Sequence, residues 1–251
     1  MKNNIPNIIT LLNLLSGCVA TFIAITNADY LIYAAVFIIA AAVFDFFDGF
    51  AARLLKANSE LGKQLDSLAD LISFGMAPAA ILSMFIRQQL HLEQTIVFSD
   101  LSEKEIVLIL FPFIITAFSA LRLAKFNIDT RQTSSFIGMP TPANALFIIS
   151  LVFIKTFDGD SNLSNLLTDT YTIIGVTLVN SYLLISPLPM FSLKFKTVAF
   201  KDNFVRYLLI FLAIVSITLI STYSLLIIML LYIIISIINT LVAKKEVYNK
   251  I

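Results

Sequence analysis

The feature that most limits how this chain can fold is a series of about eight long apolar segments. Each approaches the roughly 20 apolar residues that an α-helix needs to cross the hydrocarbon core of a bilayer. Of all residues, 59% are hydrophobic and 13% are charged, whereas soluble domains are about 45–50% apolar and about 25% charged. The chain is therefore predicted to be an integral membrane protein. The segments cover approximately 8–28, 31–48, 64–86, 105–124, 139–157, 171–190, 204–221 and 224–242.

These segments predict an all-α fold, a polytopic transmembrane helical bundle of about eight helices. The sixth segment contains Pro187 and Pro189, which should end or kink its helix because proline lacks a backbone N–H and clashes with the preceding turn. The last two segments nearly touch, so they should form a tight helical hairpin over about 204–242. We expect one integral membrane domain over 1–251, with a functional core at about 5–190.

Lysine and arginine indicate how the segments are oriented, because cytoplasmic loops carry an excess of these residues. With the N-terminus in the cytoplasm and eight crossings, only Arg87, Lys104 and Lys155 of the 17 Lys and Arg residues fall outside. Both termini are therefore predicted to be cytoplasmic. We expect a multi-pass protein of the cell's inner (cytoplasmic) membrane.

The net charge and the cysteine content argue against a nucleic-acid partner and against cysteine-based sites. A net charge of +1 argues against a nucleic-acid partner, which would require a basic face. The one cysteine, Cys18, cannot form an internal disulfide or a thiolate metal cluster.

Four aspartates fall in or beside two of the apolar segments. Asp45 and Asp48 are three residues apart, and Asp66 and Asp70 are four apart, so each pair shares a helix face. A charged aspartate at the bilayer centre costs about 2.5–3.5 kcal/mol, so four of them need a shared compensating charge. The short connection predicts antiparallel neighbouring helices with both acidic faces near the cytoplasmic end. Four carboxylates form a hard oxygen cage suited to Mg²⁺ or Mn²⁺.

Small residues and one arginine accompany the aspartates. Gly49 and Ala52 follow the first acidic pair, and Gly62 precedes the second pair by about one turn. Small side chains let a ligand approach the backbone closely. The guanidinium of Arg53 can bind a phosphate in bidentate fashion. Together these residue types predict a metal-assisted pyrophosphate-binding site.

Residues 45–70 match the pattern D-x2-D-G-x2-A-R-x8-G-x3-D-x3-D at every fixed position. This pattern resembles the signature of the CDP-alcohol phosphotransferase family. Within it, the flanking sequences are similar to the bacterial branch that uses serine as the acceptor alcohol. The resemblance covers about residues 5–155, and the sequences that carry the finer likeness are PNIITLLNLLSG at 6–17, DLISFGMAP at 70–78, LRLAKFN at 121–127 and FIGMPTP at 136–142.

The resemblance implies an enzyme that transfers a phosphatidyl group from CDP-diacylglycerol to L-serine by in-line displacement, releasing CMP. It implies two bound divalent ions, Mg²⁺ or Mn²⁺, and a homodimer. Asp45, Asp48 and Asp66 would be metal ligands, and Asp70 would be the general base and could also touch a metal. Asp66 and Asp70 are thus the candidate catalytic residues. The residues expected to line the cytidine-diphosphate site are Asn7, Thr10, Gly49, Ala52, Arg53 and Gly62.

The binding site for the acceptor is less strongly specified. Arg122, Lys125 and Arg131 lie near the cytoplasmic end of the fourth segment and could bind the carboxylate of serine. Their charges also fit the ordinary cytoplasmic excess of positive residues. Asn127 could orient the amine of serine or merely cap a helix end. In the fifth segment, Thr141 and Asn144 could serve the acceptor or only pack between helices.

Three alternatives to this interpretation are open. The aspartates could simply pair with Arg53, Lys56 and Lys63 across a helix end. The acceptor could be another alcohol, such as glycerol 3-phosphate or inositol phosphate, because a phosphorylated acceptor also needs positive charge in its site. An ion-coupled transporter would also carry intramembrane carboxylates. Transporter sites lie near the bilayer midplane, however, and the aspartates here lie at the cytoplasmic helix ends.

Overall fold

The computed structural model of the chain describes residues 4–57, 59–92, 100–128, 136–159, 161–191 and 199–248. Most of these residues are helical. The α-helices are α1 (Ile5–Thr26), α2 (Leu31–Leu54), α3 (Glu60–Asp70), α4 (Ala77–Gln89), α5 (Glu103–Leu110), α6 (Ile114–Ile128), α7 (Thr141–Asp158), α8 (Asn162–Leu167), α9 (Thr170–Ile185), α10 (Phe200–Ile220) and α11 (Ser224–Tyr248). A π-helical segment, Leu71–Met76, joins α3 to α4, and 3₁₀ turns lie at Ala28–Tyr30, Phe111–Phe113 and Ser221–Tyr223.

The helices confirm an all-α, multi-pass membrane fold. Among the described residues, six helical segments are long and apolar enough to cross a membrane: Ile5–Thr26, Ala28–Leu54, Glu60–Gln89, Glu103–Ile128, Thr141–Asp158 and Asn203–Thr240. The last segment contains two helices, α10 and α11, which pack against each other as the predicted hairpin. Helix α9 is also apolar but has only 16 residues. Among the described residues, these helices lie at the positions of the eight apolar segments that the sequence predicts.

The sixth predicted segment, 171–190, is shorter as a helix than predicted. Helix α9 ends at Ile185, and the chain then becomes extended because neither Pro187 nor Pro189 can supply a helical N–H. Two short strands, β1 (Phe136–Ile137) and β2 (Pro189–Met190), pair antiparallel just beyond this point. The N–H of Gly138 also donates to the carbonyl of Leu188 at 2.9 Å. This pairing connects the end of α9 to the start of α7.

Helix α4 lies at the centre of the bundle. Its residues Ala77 to Ile86 are all buried, as expected for a helix that is apolar on every side. By contrast, the first two spans expose many large apolar side chains, which suits a surface that faces lipid. The π-helical segment before α4 is also largely buried, and such segments often occur at functional sites.

A close helix contact positions α1 beside the π-helical segment. A Cβ atom added to Gly17 would lie 2.6 Å from the Cα atom of Ser73, so only glycine fits there. The hydroxyl of Ser73 donates to the backbone carbonyl of Asn13 at 2.9 Å. Helix α1 also packs against both α2 and α3. It therefore brings its first turns to the place where the acidic ends of α2 and α3 meet.

Candidate active site

Three of the four aspartates converge at the ends of α2 and α3. One carboxylate oxygen from each of Asp45, Asp48 and Asp66 lies within 4.8 Å of the others. Asp48 is buried, and the other two are partly buried. The spacing of three residues places Asp45 and Asp48 on one face of α2, as the sequence predicts. The structure thus brings together carboxylates that are up to 21 residues apart in the chain.

The composition of this cluster fits a hard divalent cation. Its members are all carboxylates, which are the ligands that Mg²⁺ and Mn²⁺ prefer. Within the described part of the chain, the Oδ2 atom of Asp48 is buried and has no hydrogen-bond partner. A buried carboxylate oxygen without a partner is unfavourable unless a cation compensates it. For Asp48, this also argues against the interpretation that the aspartates only pair with nearby Lys and Arg.

A cavity of about 550 Å³ opens beside the cluster and is lined by two of its members, Asp48 and Asp66. This volume lies within the roughly 300–1,000 Å³ range that is usual for ligand sites. It contains five of the six residues predicted to line the nucleotide site, all except Arg53. Its lining residues are Pro6, Asn7, Thr10, Asp48, Gly49, Ala52, Ala57, Ser59, Glu60, Gly62, Lys63 and Asp66.

The first turn of α3 faces this cavity. Ser59 caps the helix, and its hydroxyl accepts a hydrogen bond from the N–H of Gly62 at 3.0 Å. A Cβ atom on Gly62 would lie 3.1 Å from Asn7 Oδ1, so the glycine lets α1 and α3 approach closely. The N-terminus of a helix carries unpaired N–H groups and a positive dipole, which favour an anionic ligand such as a phosphate.

Arg53 lies at the rim of the cavity. Its side chain is exposed, and its Nη1 atom lies 3.5 Å from the position that a Cβ atom on Gly49 would occupy. Lys63 does line the cavity, and its Nζ atom donates to the backbone carbonyl of Asn127 at 2.8 Å. Both cations therefore lie close enough to the cavity to interact with an anion in it.

Asp70, the fourth aspartate, occupies a different environment. It is the last residue of α3, is 8% exposed and does not belong to the cluster of three. It still interacts electrostatically with Asp45, Asp66 and Asp48, and also with Arg122. Among the described residues, its Oδ1 atom is buried without a hydrogen-bond partner. Its predicted roles as a base and as a metal ligand remain predictions.

Arg122 is a buried cation on α6, although a position near the end of a helix would allow it to be exposed. It is 7% exposed, and its Nη1 atom donates to the hydroxyl of Thr141 at 3.2 Å. Its guanidinium carbon lies 5.8 Å from the ring centroid of Phe126. It interacts electrostatically with Asp70, and its buried Nε atom has no hydrogen-bond partner in the described chain.

Lys125 and Asn127 lie in different surroundings from Arg122. Lys125 is exposed, and Arg131 lies outside the described residues. The side-chain nitrogen of Asn127 donates to the hydroxyl of Ser67 at 2.9 Å. Asn127 therefore links α6 to α3, and its predicted role in binding an amine stays a prediction.

Thr141 and Asn144 share a face at the start of α7, and Thr141 contacts Arg122. Both are completely buried. Within the described residues, neither amide atom of Asn144 has a hydrogen-bond partner. Buried amides are normally paired, so an unpaired one suggests a ligand or a water that belongs beside it.

Sequence reasoning missed two features of the site. Ser59 lines the cavity and caps α3, and a serine just before a helical run is a recognisable N-cap signal. The buried Tyr232 on α11 donates its hydroxyl proton to the backbone carbonyl of Phe191, just after β2, at 3.3 Å. A tyrosine within an apolar helix gives no sequence signal of such a contact.

Comparison with known proteins agrees with the geometry of this site. The sequence model of the CDP-alcohol phosphatidyltransferase family matches residues 3–187. A CDP-diacylglycerol--serine O-phosphatidyltransferase of Bacillus subtilis (strain 168) is 36% identical over 151 residues, which cover 60% of this chain and 76% of that protein. The protein of the same name from Helicobacter pylori (strain ATCC 700392 / 26695) is 31% identical over 180 residues, or 70% and 69% of the two chains. That from Mycobacterium leprae (strain TN) is 31% identical over 217 residues, or 84% and 65%.

Proposed function

Because this chain belongs to the CDP-alcohol phosphatidyltransferase family, we propose that it transfers a phosphatidyl group from CDP-diacylglycerol to L-serine and releases CMP. Similar proteins from several organisms carry the name of that activity. The observation that carries the proposal is the position of the buried Asp70 and Arg122 beside a cluster of three carboxylates that borders a large cavity.

The cavity receives the cytidine-diphosphate group. Asn7 and Thr10 supply polar groups from α1, and Gly49 and Ala52 leave room on α2. Gly62 opens the first turn of α3, where the helix dipole favours the pyrophosphate. At the rim, the guanidinium of Arg53 binds a phosphate oxygen.

The carboxylates of Asp45, Asp48 and Asp66 hold Mg²⁺ or Mn²⁺, and we propose two ions. When bound, such ions neutralise the pyrophosphate and the negative charge that develops on the leaving CMP. The support for this assignment is the purely carboxylate composition of the cluster and the unpaired Oδ2 atom of Asp48. Asp66 lies one helical turn before Asp70 and interacts with it electrostatically. It therefore lies between the proposed metal ions and the proposed acceptor.

The acceptor binds on the inner side of the acidic cluster. Asp70 Oδ1 and Arg122 Nε are buried without hydrogen-bond partners among the described residues. Serine offers matching groups, because its hydroxyl can donate to a carboxylate and its carboxylate can accept from a guanidinium. The amide oxygen of Asn144, about one turn along α7 from Thr141, accepts a hydrogen bond from the ammonium group.

The reaction is a direct displacement at the phosphorus atom that carries diacylglycerol. Asp70 takes the proton of the serine hydroxyl, whose oxygen forms the new bond to phosphorus. The bond from that phosphorus to the bridging oxygen breaks, and its electron pair leaves with CMP. Beyond the metal-binding carboxylates, the sequence offers no free nucleophile at the site, which favours one direct displacement over a covalent intermediate.

The proposal is tested by incubating the purified protein with CDP-diacylglycerol and one alcohol at a time while CMP release is measured. We expect release with L-serine and formation of phosphatidylserine, but only background release with glycerol 3-phosphate or inositol phosphate. Release that depended on a phosphorylated alcohol would overturn the choice of serine and leave the family assignment intact.

We further propose that the site faces the cytoplasm, in a homodimer in the inner membrane whose protomers are single domains. The support for the orientation is the bias of Lys and Arg toward one side. Reporters fused after residues 58, 130 and 198 should read as cytoplasmic, and those after 95 and 163 as external. A cytoplasmic signal at 163 would show that the orientation of the later helices is wrong.

A further inference from the structure

Lys63 contacts two parts of the proposed site at once. It occupies a position that the aspartate pattern leaves open, between Gly62 and Asp66, and its side chain lines the cavity. In the same conformation, its Nζ atom donates to the backbone carbonyl of Asn127 at 2.8 Å. An ammonium group has three N–H donors, so Lys63 can also donate to a phosphate oxygen in the cavity without giving up this bond.

The last turn of α6 is fastened to α3 at two points. Besides accepting from Lys63, Asn127 donates from its side-chain nitrogen to the hydroxyl of Ser67 at 2.9 Å. Lys63 and Ser67 are four residues apart, so they lie on one face of α3. Carbonyls in the last turn of a helix lack helical partners and carry a negative partial charge, which a lysine compensates. Lys63 therefore helps to fix the end of α6.

The same turn of α6 contacts Arg122, the proposed ligand of the acceptor's carboxylate. Phe126 directly precedes Asn127, and its ring centroid lies 5.8 Å from the guanidinium carbon of Arg122, within the range of a cation–π contact. On α7, the hydroxyl of Thr141 accepts from Arg122 at 3.2 Å. Direct contacts therefore lead from the cavity through Lys63 and the last turn of α6 to Arg122.

We propose that Lys63 binds the diphosphate of the donor and thereby positions the turn of α6 that contacts Arg122, so that donor and acceptor strengthen each other's binding; this proposal rests on the function proposed above. A phosphate oxygen holds the ammonium in the position from which it bonds Asn127. The better-fixed turn then holds the ring of Phe126 against Arg122. Because such coupling is reciprocal, L-serine must tighten nucleotide binding by the same factor.

The test is the affinity of the purified protein for cytidine diphosphate with Mg²⁺, measured by calorimetry without and with saturating L-serine. In the unmodified protein, serine should lower the Kd about fivefold or more, as is usual for coupled sites. Lys63→Met removes the charge but keeps most of the side-chain length. It should raise the Kd about tenfold, because one charge-assisted hydrogen bond is lost, and should reduce the effect of serine to less than about twofold.

Two further variants serve as controls. Lys56→Met removes an exposed charge from the connection between α2 and α3 that does not line the cavity, and it should change neither value. Lys63→Arg keeps the charge and should retain most of the affinity. An unchanged Kd in Lys63→Met would overturn the proposal, as would equal weakening by Lys56→Met, or a serine effect that is absent from the unmodified protein or survives in Lys63→Met. Failure of cytidine diphosphate to bind to the unmodified protein would instead contradict the proposed function.

Discussion

The aspartates of one short motif lie in two different environments. Asp48 and Asp66 line an open cavity together with small residues and a helix N-terminus, and a carboxylate oxygen of Asp45 lies within 4.8 Å of theirs. Asp70, one turn beyond Asp66, is buried away from the lining of this cavity and interacts with Arg122. The open side of the site, at Asp48 and Asp66, suits a large anionic ligand that binds together with metal ions. The buried side, at Asp70 and Arg122, suits a small zwitterion that must be held away from water. The difference suggests that the aspartates of one motif act on both proposed substrates, three on the nucleotide and Asp70 on the acceptor alcohol.

The largest effect should come from the open side. Asp48→Asn or Asp66→Asn removes one negative charge from the cluster, so the bound cations and the charge on the leaving group are less well balanced. We expect CMP release to fall by more than about 10³-fold, at least the effect of losing one group that stabilises a transition state. The protein should still insert into the membrane, which can be checked by its recovery in the membrane fraction.

Removal of divalent ions provides the matching experiment on the unmodified protein. Excess EDTA should abolish CMP release, and added Mg²⁺ or Mn²⁺ should restore it. Full activity in excess EDTA would show that the carboxylate cluster does not act by holding a cation. In that case the proposed difference, metal binding by the cluster of three aspartates and acceptor activation by Asp70, would be lost.

The next effect should come from the buried side. If Asp70 removes the proton of serine, Asp70→Asn should lower kcat by about 10²–10⁴-fold, the usual effect of a lost general base. The affinity for CDP-diacylglycerol at saturating metal should be unchanged, because the cluster and Arg53 remain. Loss of both binding and rate would instead assign Asp70 to the metal cage and remove the contrast between the two environments.

Features that depend on local sequence patterns could be predicted, whereas contacts between distant segments could not. The all-α multi-pass fold and the family were predicted and are confirmed, because apolar length and a fixed pattern of residues are local properties of the sequence. Helix periodicity and the short connection predicted that all four aspartates converge, and the structure groups three of them, Asp45, Asp48 and Asp66.

The acceptor side was harder to predict because its contacts link distant segments. Spacing alone could not distinguish the buried Arg122 from the exposed Lys125, since both lie near the same helix end. The π-helical segment after Asp70 has no hydrophobic pattern that would distinguish it from an α-helix. The contact of Tyr232 with Phe191 depends on how the hairpin packs against the rest of the bundle, which no local pattern specifies.

A pair of substitutions on α6 can sharpen this distinction. Arg122→Gln should raise the KM for serine about 10- to 100-fold, because a charge-assisted hydrogen bond to the serine carboxylate is lost. Lys125→Gln is the matched control and should change the KM by less than twofold, because its side chain is exposed. If the two variants behaved alike, the positive charges at this helix end would act collectively, and burial of Arg122 would have no special meaning.

The smallest effect should come from Asn127, whose side chain forms a hydrogen bond from α6 to Ser67 of α3. Asn127→Ala removes the hydrogen bond to Ser67 and should cost about 1 kcal/mol of stability. Thermal melting in detergent would measure the loss, and Ser67→Ala should cause a similar one. The double variant should be little worse than either single variant, because both remove the same bond. The contact from Lys63 should survive, since it uses the backbone carbonyl of Asn127. A rise in the KM for serine without a change in melting would instead support Asn127 as a ligand of the amine and extend the acceptor site toward the end of α6.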